Sequence, residues 1–331
     1  MKYRKLAKTD LMLSEIGFGV WTISAGWWGE YSDQQACELL RRALDLGVTF
    51  FDTGDTYGNG RGETILAKAF AGRRGEVAIG TKFGYDFYTD PDARRGQRER
   101  PQDFSPKFVR FALEQSLQRL QTDYVDLYQL HNPRLQAMQG DDLFELLERL
   151  KAEGKIRAYG AALGPAIGGT GHGDLAMRAR PSLSSLQIIY NLLEQDPGRR
   201  FVPIARELDI SLLVRVPHSS GLLEGHYTAQ TTFPPGDHRS HRPREWLLDG
   251  LKKLERLEFL HKHRGMTIGQ AALKWLLAEP AVTSIQPNIY TGEQLEEFAA
   301  ASDLPDLAPA DLATVAELYD KNFYLEASRA S

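Results

Sequence analysis

The stretch FFDTGDTYGNGRGE, residues 50–63, joins the end of an apolar run to a glycine-rich turn. The run itself, VTFFDT (48–53), is short and nearly continuously apolar rather than alternating. Strands that are buried on both faces of a parallel sheet have this pattern. Gly58, Gly60 and Gly62 follow the run. They match the G-x-G-x-x-G fingerprint of a doubly wound dinucleotide-binding sheet only loosely, because the last glycine is misplaced, so we interpret them as a turn.

Apolar runs of the same kind recur along the chain. They are SEIGFGV (14–20), VAIGTK (77–82), VDLYQLH (125–131), IRAYGAAL (156–163), SLQIIYN (185–191), SLLVRVPH (211–218) and VTSIQPN (282–288). Amphipathic segments separate them, and the repeated order of strand and helix predicts an α/β fold, a (β/α)8 TIM barrel, with a doubly wound sheet as the alternative. We expect an N-terminal β-hairpin, extra C-terminal helices and a single domain over residues 1–331.

Helix signals refine this prediction at several places. Leu143, Leu146, Leu147 and Leu150 recur at helical spacing, and Gly154 follows where a C-terminal cap is expected. The pair Ser105-Pro106 is typical of a helix start, and another helix is predicted over roughly 244–263. Long polar loops over 84–104 and 219–245 are unusual unless they serve a function.

Composition excludes several classes of function. The net charge of −4 over 331 residues contains no long basic run, so we do not expect a nucleic-acid partner. Cys37 is the only cysteine, which excludes an intramolecular disulfide and a cysteine-cluster metal site. The pairs His238/His241 and His261/His263 lack an accompanying carboxylate cluster, so we predict no metal. No apolar run reaches the length of a membrane span, and we expect a cytoplasmic protein without membrane contact.

Polar residues stand at the predicted carboxyl ends of consecutive strands. Asp52 closes the second strand and Tyr57 follows it, while Lys82 ends the third strand and His131 ends the fourth. In a barrel these ends share one rim, where active sites are built. We therefore expect the four side chains to converge in one pocket.

These residue types suit proton transfer. A free tyrosine has a pKa of about 10, which is too high for ready proton exchange at neutral pH. An adjacent ammonium favours the phenolate, and Asp52 can hold Lys82 charged and in place. His131 can bond a substrate oxygen and orient it toward Tyr57. Because the set holds neither a good nucleophile nor a three-ligand metal site, we predict proton transfer coupled to hydride transfer from a cofactor.

Four motifs add a family-level indication: FFDTGDTYGNGRGE, GTKFG (80–84), VDLYQLHNP (125–133) and the opening MKYRKLAKTDLMLSEIGFGVWTIS (1–24). Together they resemble the aldo-keto reductase family, in its bacterial type, over nearly the whole chain. The resemblance implies an NAD(P)(H)-dependent oxidoreductase that interconverts an alcohol and the carbonyl of an aldehyde, ketone or sugar. It also implies a catalytic tetrad of Asp52, Tyr57, Lys82 and His131, with Tyr57 as general acid–base.

The resemblance also implies where the ligands bind. Trp21, Trp28, Tyr57, Tyr88 and His131 would form the substrate pocket. The cofactor, NADP(H) by resemblance with NAD(H) as the alternative, would lie extended across the later strands. Its implied contacts are Gly19, Trp21, Asp52, Gln187, Tyr190, Arg215, Val216, Pro217, His218, Gly221, Leu222, Pro287, Asn288, Tyr290, Gln294, Glu297 and Phe298.

The sequence departs from the family pattern at the cofactor positions. Ala162-Leu163 stands where the family usually has Ser-Asn, which removes hydrogen bonds to the carboxamide that are worth about 0.5–1.5 kcal/mol each. Arg215 stands where many members stack an aromatic ring on the nicotinamide, although a guanidinium plane can stack as well. Tyr290 lies where many members have a basic residue for the 2′-phosphate, and residues 275–320 contain no Lys or Arg. The preference between NADPH and NADH therefore stays open.

Two other functions are compatible with these residues. A lyase or isomerase could use the same side chains for acid–base chemistry without net redox. A regulatory subunit could use cofactor occupancy as a signal. Substrate and oligomeric state depend on loops and surfaces that the motifs do not specify.

Overall fold

The chain begins with an antiparallel hairpin, β1 (Tyr3–Lys5) and β2 (Met12–Ser14), as predicted. This computed structural model describes residues 1–26, 29–90, 100–164, 172–235 and 237–325. Leu6, Leu11 and Leu13 of the hairpin region are buried in one cluster with strand residues that include Phe50 and Leu213. The hairpin therefore closes the amino-terminal end of the sheet that follows.

That sheet has eight parallel strands whose neighbours pair in chain order, which confirms the predicted barrel. It closes where Ile16 bridges Ile285 in parallel, with the Gly17 amide donating to the Ile285 carbonyl at 2.8 Å. The strands are β3 (Phe18–Gly19), β4 (Phe50–Asp52), β5 (Ala78–Phe83), β6 (Val125–His131), β7 (Ile156–Ala162), β8 (Ser185–Ile189), β9 (Ser211–Arg215) and β10 (Val282–Gln286).

Helices alternate with the strands and cover the outside of the sheet. Their bounds are α1 (Trp21–Ser24), α2 (Asp33–Asp45), α3 (Arg61–Ala69), α4 (Pro106–Leu120), α5 (Leu135–Gln139), α6 (Asp141–Ala152), α7 (His172–Ala179), α8 (Asp196–Leu208), α9 (Arg244–Arg256), α10 (Ile268–Leu277), α11 (Gly292–Ala300) and α12 (Pro309–Asp320). In the described part of the chain, no helix is both long and apolar enough to cross a membrane.

The predicted helix ends are largely confirmed. The Ser105 hydroxyl accepts from the Phe108 amide at the start of α4, and Gly154 adopts a φ of +75° after α6. The helix predicted over 244–263 is shorter, because α9 ends at Arg256 and a 3-10 turn follows at Glu258–Leu260. That tighter turn lies in a buried cluster under α10 and α12, which supplies the reason for the change of helix type.

Candidate active site

The carboxyl ends of β4, β5 and β6 bring the four predicted catalytic side chains to one rim. Asp52 is the last residue of β4 and His131 the last of β6, and Lys82 lies one residue before the end of β5. Asp52 is in register with Gly80, and Lys82 is in register with Gln129 on β6. Because the strands are parallel neighbours, these side chains enter the same end of the barrel.

A buried ion pair forms the base of this site. The Lys82 ammonium is 1% exposed and donates to Asp52 Oδ2 at 2.5 Å and to the Thr53 carbonyl at 2.6 Å. Asp52 Oδ1 accepts from the side-chain amides of Gln129 and Gln187, each at 3.0 Å. Both members of the pair are therefore hydrogen-bonded, which is the condition under which a buried ion pair is tolerated.

Tyr57 lies directly over this ion pair. The Lys82 ammonium nitrogen is 4.8 Å from the centre of the Tyr57 ring. Burial acts to lower the pKa of Lys82, but attraction to Asp52 and then to Tyr57 outweighs burial and raises that pKa. Lys82 thus remains a fixed positive charge beside the phenol at neutral pH.

His131 is enclosed by aromatic rings. Its ring centre is 5.7 Å from that of Tyr57 and 4.9 Å from that of Tyr85, and both contacts are edge-on. Burial, followed by the charges of Lys82 and Arg215, lowers the pKa of His131 well below its ordinary value. The imidazole is therefore neutral at physiological pH, with one ring nitrogen as donor and the other as acceptor.

Arg215, the last residue of β9, reaches the backbone beside the departure at Ala162-Leu163. Its Nη2 donates to the Leu163 carbonyl at 3.0 Å, which fixes the guanidinium at the end of β7. Burial lowers the pKa of Arg215, while Tyr57 and Asp52 act in the opposite direction. The guanidinium thus adds a second positive charge to the floor of the site.

The segment after β9 has a strained backbone. Val216, Ser219 and Ser220 have φ angles of +56°, +47° and +56°, and Gly221 follows at +96°. A positive φ is a genuine outlier for a β-branched residue such as Val216. The Asn191 side chain holds it by donating to the Val216 carbonyl at 3.0 Å. Such strain persists where the surrounding structure enforces it, and it clusters at ligand sites.

The segment after β9 also contains a buried carboxylate that sequence reasoning missed. Glu224, in the turn after β9, is only 6% exposed. Its Oε2 accepts from the Tyr290 hydroxyl at 2.7 Å and from the Gln294 amide at 3.1 Å. Burial, the largest influence, raises the pKa of Glu224. The only local sign of this residue is its place in a turn that follows a barrel strand.

Some predicted contacts lie away from the tetrad. Tyr88 packs against α4 through Phe108 and Phe111, and its hydroxyl accepts from Arg119 at 3.1 Å. Tyr85 instead supplies the aromatic ring beside the tetrad. Trp28 lies outside the described residues. Tyr88 therefore packs its ring against α4.

Tyr190, His218 and Phe298 are also engaged in packing. The Tyr190 ring lies 4.9 Å from that of Trp275 on α10. The rings of His218 and Phe298 are 4.4 Å apart, and His218 Nε2 is 3.1 Å from the Gly269 carbonyl. Burial lowers the pKa of His218 to about 4, so this imidazole is neutral. In the described structure these side chains therefore contact other parts of the protein.

The other predicted cofactor positions follow strand ends on the same rim. Gly19 is the last residue of β3 and Trp21 comes shortly after it, while Pro287 and Asn288 follow β10, the strand across the barrel closure. Their proximity is shown by the Thr22 hydroxyl, which donates to the Ile289 carbonyl at 2.8 Å. Pro217 and Leu222 belong to the segment after β9, and Glu297 on α11 accepts from the Thr267 hydroxyl at 2.5 Å.

A second buried carboxyl lies beneath the turn that carries Tyr57. Asp55 is fully buried, and neither carboxyl oxygen has a hydrogen-bond partner among the described residues. Burial, followed by the charge of Glu63, raises the pKa of Asp55 well above its usual range. Glu63 itself is paired with Arg119 at 2.6 Å and accepts from the Thr81 hydroxyl. Burial beside Glu63 thus favours the protonated form of Asp55, which lies in the turn that carries Tyr57.

Comparison with known proteins agrees with this arrangement. The sequence model of the Aldo/keto reductase family matches residues 15–320. The chain belongs to the aldo-keto reductase family. It is accordingly an NAD(P)H-dependent oxidoreductase, as the sequence motifs predicted.

Individual relatives resemble this aldo-keto reductase over most of their length. Aldo-keto reductase YhdN of Bacillus subtilis is 32% identical over 287 residues, which cover 85% of this chain and 82% of the relative. The NADH-specific methylglyoxal reductase of Escherichia coli is 30% identical over 331 residues, covering 96% and 98%. Among solved structures, aldo-keto reductase AKR11C1 from Bacillus halodurans in its holo form superposes with a TM-score of 0.77 at 28% identity, covering 96% of both chains.

The rim of this aldo-keto reductase fits a nicotinamide dinucleotide on an independent observation. Buried polar atoms without a partner among the described residues lie at the carboxyl ends of β6, β9 and β10 and in the turn after β9: His131 Nδ1, Arg215 Nε, both amide atoms of Gln286 and Glu224 Oε1. Buried polar groups nearly always have a hydrogen-bond partner in folded proteins. The donors and acceptors of a long polar ligand would supply those partners.

Proposed function

We propose that this aldo-keto reductase interconverts an alcohol and the carbonyl of a small aldehyde, ketone or sugar, with Tyr57 as general acid–base. The observation that carries the proposal is the Lys82 ammonium, which is buried, bonded to Asp52 at 2.5 Å and placed 4.8 Å from the Tyr57 ring. A fixed positive charge at that position stabilises the phenolate that remains once the phenol has given up its proton.

The tetrad divides the proton chemistry among its members. Tyr57 donates its proton to the carbonyl oxygen during reduction and recovers it during oxidation. Asp52, anchored by two side-chain amides, keeps Lys82 charged and in position. His131, neutral because burial and nearby cations lower its pKa, orients the carbonyl oxygen by a hydrogen bond and does not compete as a proton source. When bound, the nicotinamide supplies or accepts the hydride at the carbonyl carbon.

We assign the remaining predicted cofactor contacts to successive parts of the dinucleotide. Arg215 would hold the nicotinamide end, since a guanidinium plane stacks on a flat ring. The strained segment from Val216 to Leu222 would hold the pyrophosphate through its backbone amides. Tyr290 and Gln294, at the start of α11, would face the adenosine. The name of the E. coli relative, a methylglyoxal reductase, favours a small carbonyl compound as substrate.

Tyr57→Phe tests this proposal because it removes the proton and keeps the ring. We expect the variant to lose carbonyl reduction, followed as oxidation of NADH and NADPH with methylglyoxal and glyceraldehyde as probes, while its dinucleotide affinity stays unchanged. Tyr85→Phe is the matched control, since it also deletes a hydroxyl beside His131. Turnover at the wild-type rate in Tyr57→Phe would contradict the assigned role. Absence of dinucleotide binding in folded wild-type protein would instead favour non-redox acid–base chemistry.

A further inference from the structure

The adenosine end of the proposed cofactor site is built around Glu224 rather than around a cation. Glu224 lies in the turn after β9, while Tyr290 follows β10 and Gln294 lies in the first turn of α11. The Tyr290 hydroxyl and the Gln294 amide both donate to Glu224 Oε2, at 2.7 and 3.1 Å. Both donors are therefore already directed at a carboxylate of this chain.

The Gln294 amide is held in this orientation. Its Oε1 accepts from the Tyr290 backbone amide at 3.2 Å, so its nitrogen must face Glu224. The Gln294 backbone amide in turn donates to the Thr291 hydroxyl, which caps α11. Turning the side-chain amide toward another anion would break these contacts.

The positive groups that act on Glu224 are Arg239 and His226, and Glu297 acts on it as a negative charge with a smaller effect. The Arg239 guanidinium is engaged elsewhere, because it forms an ion pair with Asp237 at 2.7 Å and donates to the Tyr227 hydroxyl at 2.6 Å. A phosphate added here would meet a like charge and occupied donors, and desolvated like charges repel strongly.

The second oxygen of Glu224 points to the ligand that would be accepted. Oε1 is buried and has no partner within the described residues. A ribose hydroxyl is a donor that would satisfy this acceptor, and acidic residues bind ribose hydroxyls in this way in other dinucleotide sites. A 2′-phosphate carries no such donor at neutral pH and adds negative charge.

We propose that Glu224 selects the dinucleotide without a 2′-phosphate, so that the enzyme uses NADH in preference to NADPH. The inference rests on the proposed function, since it assigns the adenosine end of the same cofactor. Selection depends on the charge of one side chain. A merely structural role for Glu224 would change the affinities for both dinucleotides together, whereas selection changes their ratio.

Binding titrations of the purified full-length protein with NADH and with NADPH, by fluorescence or calorimetry, test the assignment. We expect wild-type protein to bind NADH at least ten-fold more tightly. Glu224→Gln keeps the shape and one oxygen that can accept from Tyr290 and Gln294, but it removes the charge and the second acceptor. We expect the ratio of the two affinities to fall at least ten-fold. Glu293→Gln, an exposed residue at the start of α11, is the control for loss of one negative charge and should leave the ratio unchanged.

A second measurement uses only wild-type protein, so it still tests the inference if Glu224→Gln fails to fold. Adenosine 5′-monophosphate should displace NADH from wild-type protein at least ten-fold more effectively than adenosine 2′,5′-bisphosphate. Equal displacement, equal affinity for NADH and NADPH, or an unchanged ratio in folded Glu224→Gln would overturn the inference and leave carbonyl reduction intact. Failure of folded wild-type protein to bind either dinucleotide would overturn the proposed function and this inference with it.

Discussion

Breaking the Lys82–Asp52 pair from one side should destabilise the protein far more than breaking an exposed pair. Asp52→Asn leaves the Lys82 ammonium, 1% exposed, without the carboxylate that lies 2.5 Å away. Removing one partner of a buried ion pair costs about 3–5 kcal/mol, because an uncompensated charge remains in a low-dielectric interior. We expect a loss of that size in the free energy of unfolding, measured with urea at pH 7.

The same substitution in an exposed pair provides the control. Asp10 lies 3.3 Å from Lys5, with side chains 99% and 61% exposed, so Asp10→Asn should change stability little. The double variant Asp52→Asn, Lys82→Met removes both buried charges and should recover part of the loss in stability. Neither Asp52→Asn nor the double variant should reduce carbonyls. Equal losses of unfolding free energy in Asp52→Asn and Asp10→Asn would contradict this expectation, because they would mean that water reaches the Lys82–Asp52 pair.

Two further predictions concern the same rim. Asp55→Asn should raise the melting temperature more at pH 8 than at pH 5. Burial raises the pKa of the Asp55 carboxyl, so the contribution of this group to stability is complete below its ordinary pKa of 3.8 and is lost as pH rises through its pKa in the folded protein. A gain that grows on acidification would contradict this sign. Gly221→Ala should weaken dinucleotide binding at least ten-fold, because a Cβ there would lie 2.1 Å from the Tyr227 hydroxyl. Gly72→Ala, at a similar positive φ but with no atom within 4 Å, is the control for backbone strain, and equal binding by the two variants would count against the steric argument.

The contact between Arg215 and the end of β7 could not be found from a local stretch of sequence. The Leu163 carbonyl accepts from the Arg215 guanidinium of β9. Arg215 lies two strands away in the sheet, so residues 162–163 alone give no sign of this contact.

The barrel and the meeting of four polar side chains at its rim were predictable because their signals are local in sequence. A short apolar run predicts each strand, and the residue that ends the run is expected on the rim. Asp52, Lys82 and His131 follow from that rule. Tyr57 follows from its place in the turn after β4.

Other features depended on contacts between distant parts of the chain. Glu224 becomes part of the site only because the turn after β9 packs against α11, which brings it within 2.7 Å of the Tyr290 hydroxyl. Tyr88 and Tyr85 belong to one loop, but only the packing of α4 decides that Tyr88 faces Phe108 while Tyr85 faces His131.

Local sequence patterns were enough to predict the strand order and the polar side chains that meet at the rim, since strand periodicity and the position of strand ends are properties of neighbouring residues. Contacts between distant parts of the chain determine which carboxylates have a hydrogen-bond partner, which are buried without one and which cations already form ion pairs. Those contacts set the direction in which the pKa of Asp55 shifts and the charge at the proposed adenosine end. They depend on desolvation and on distances across the barrel, which no local pattern in the chain encodes.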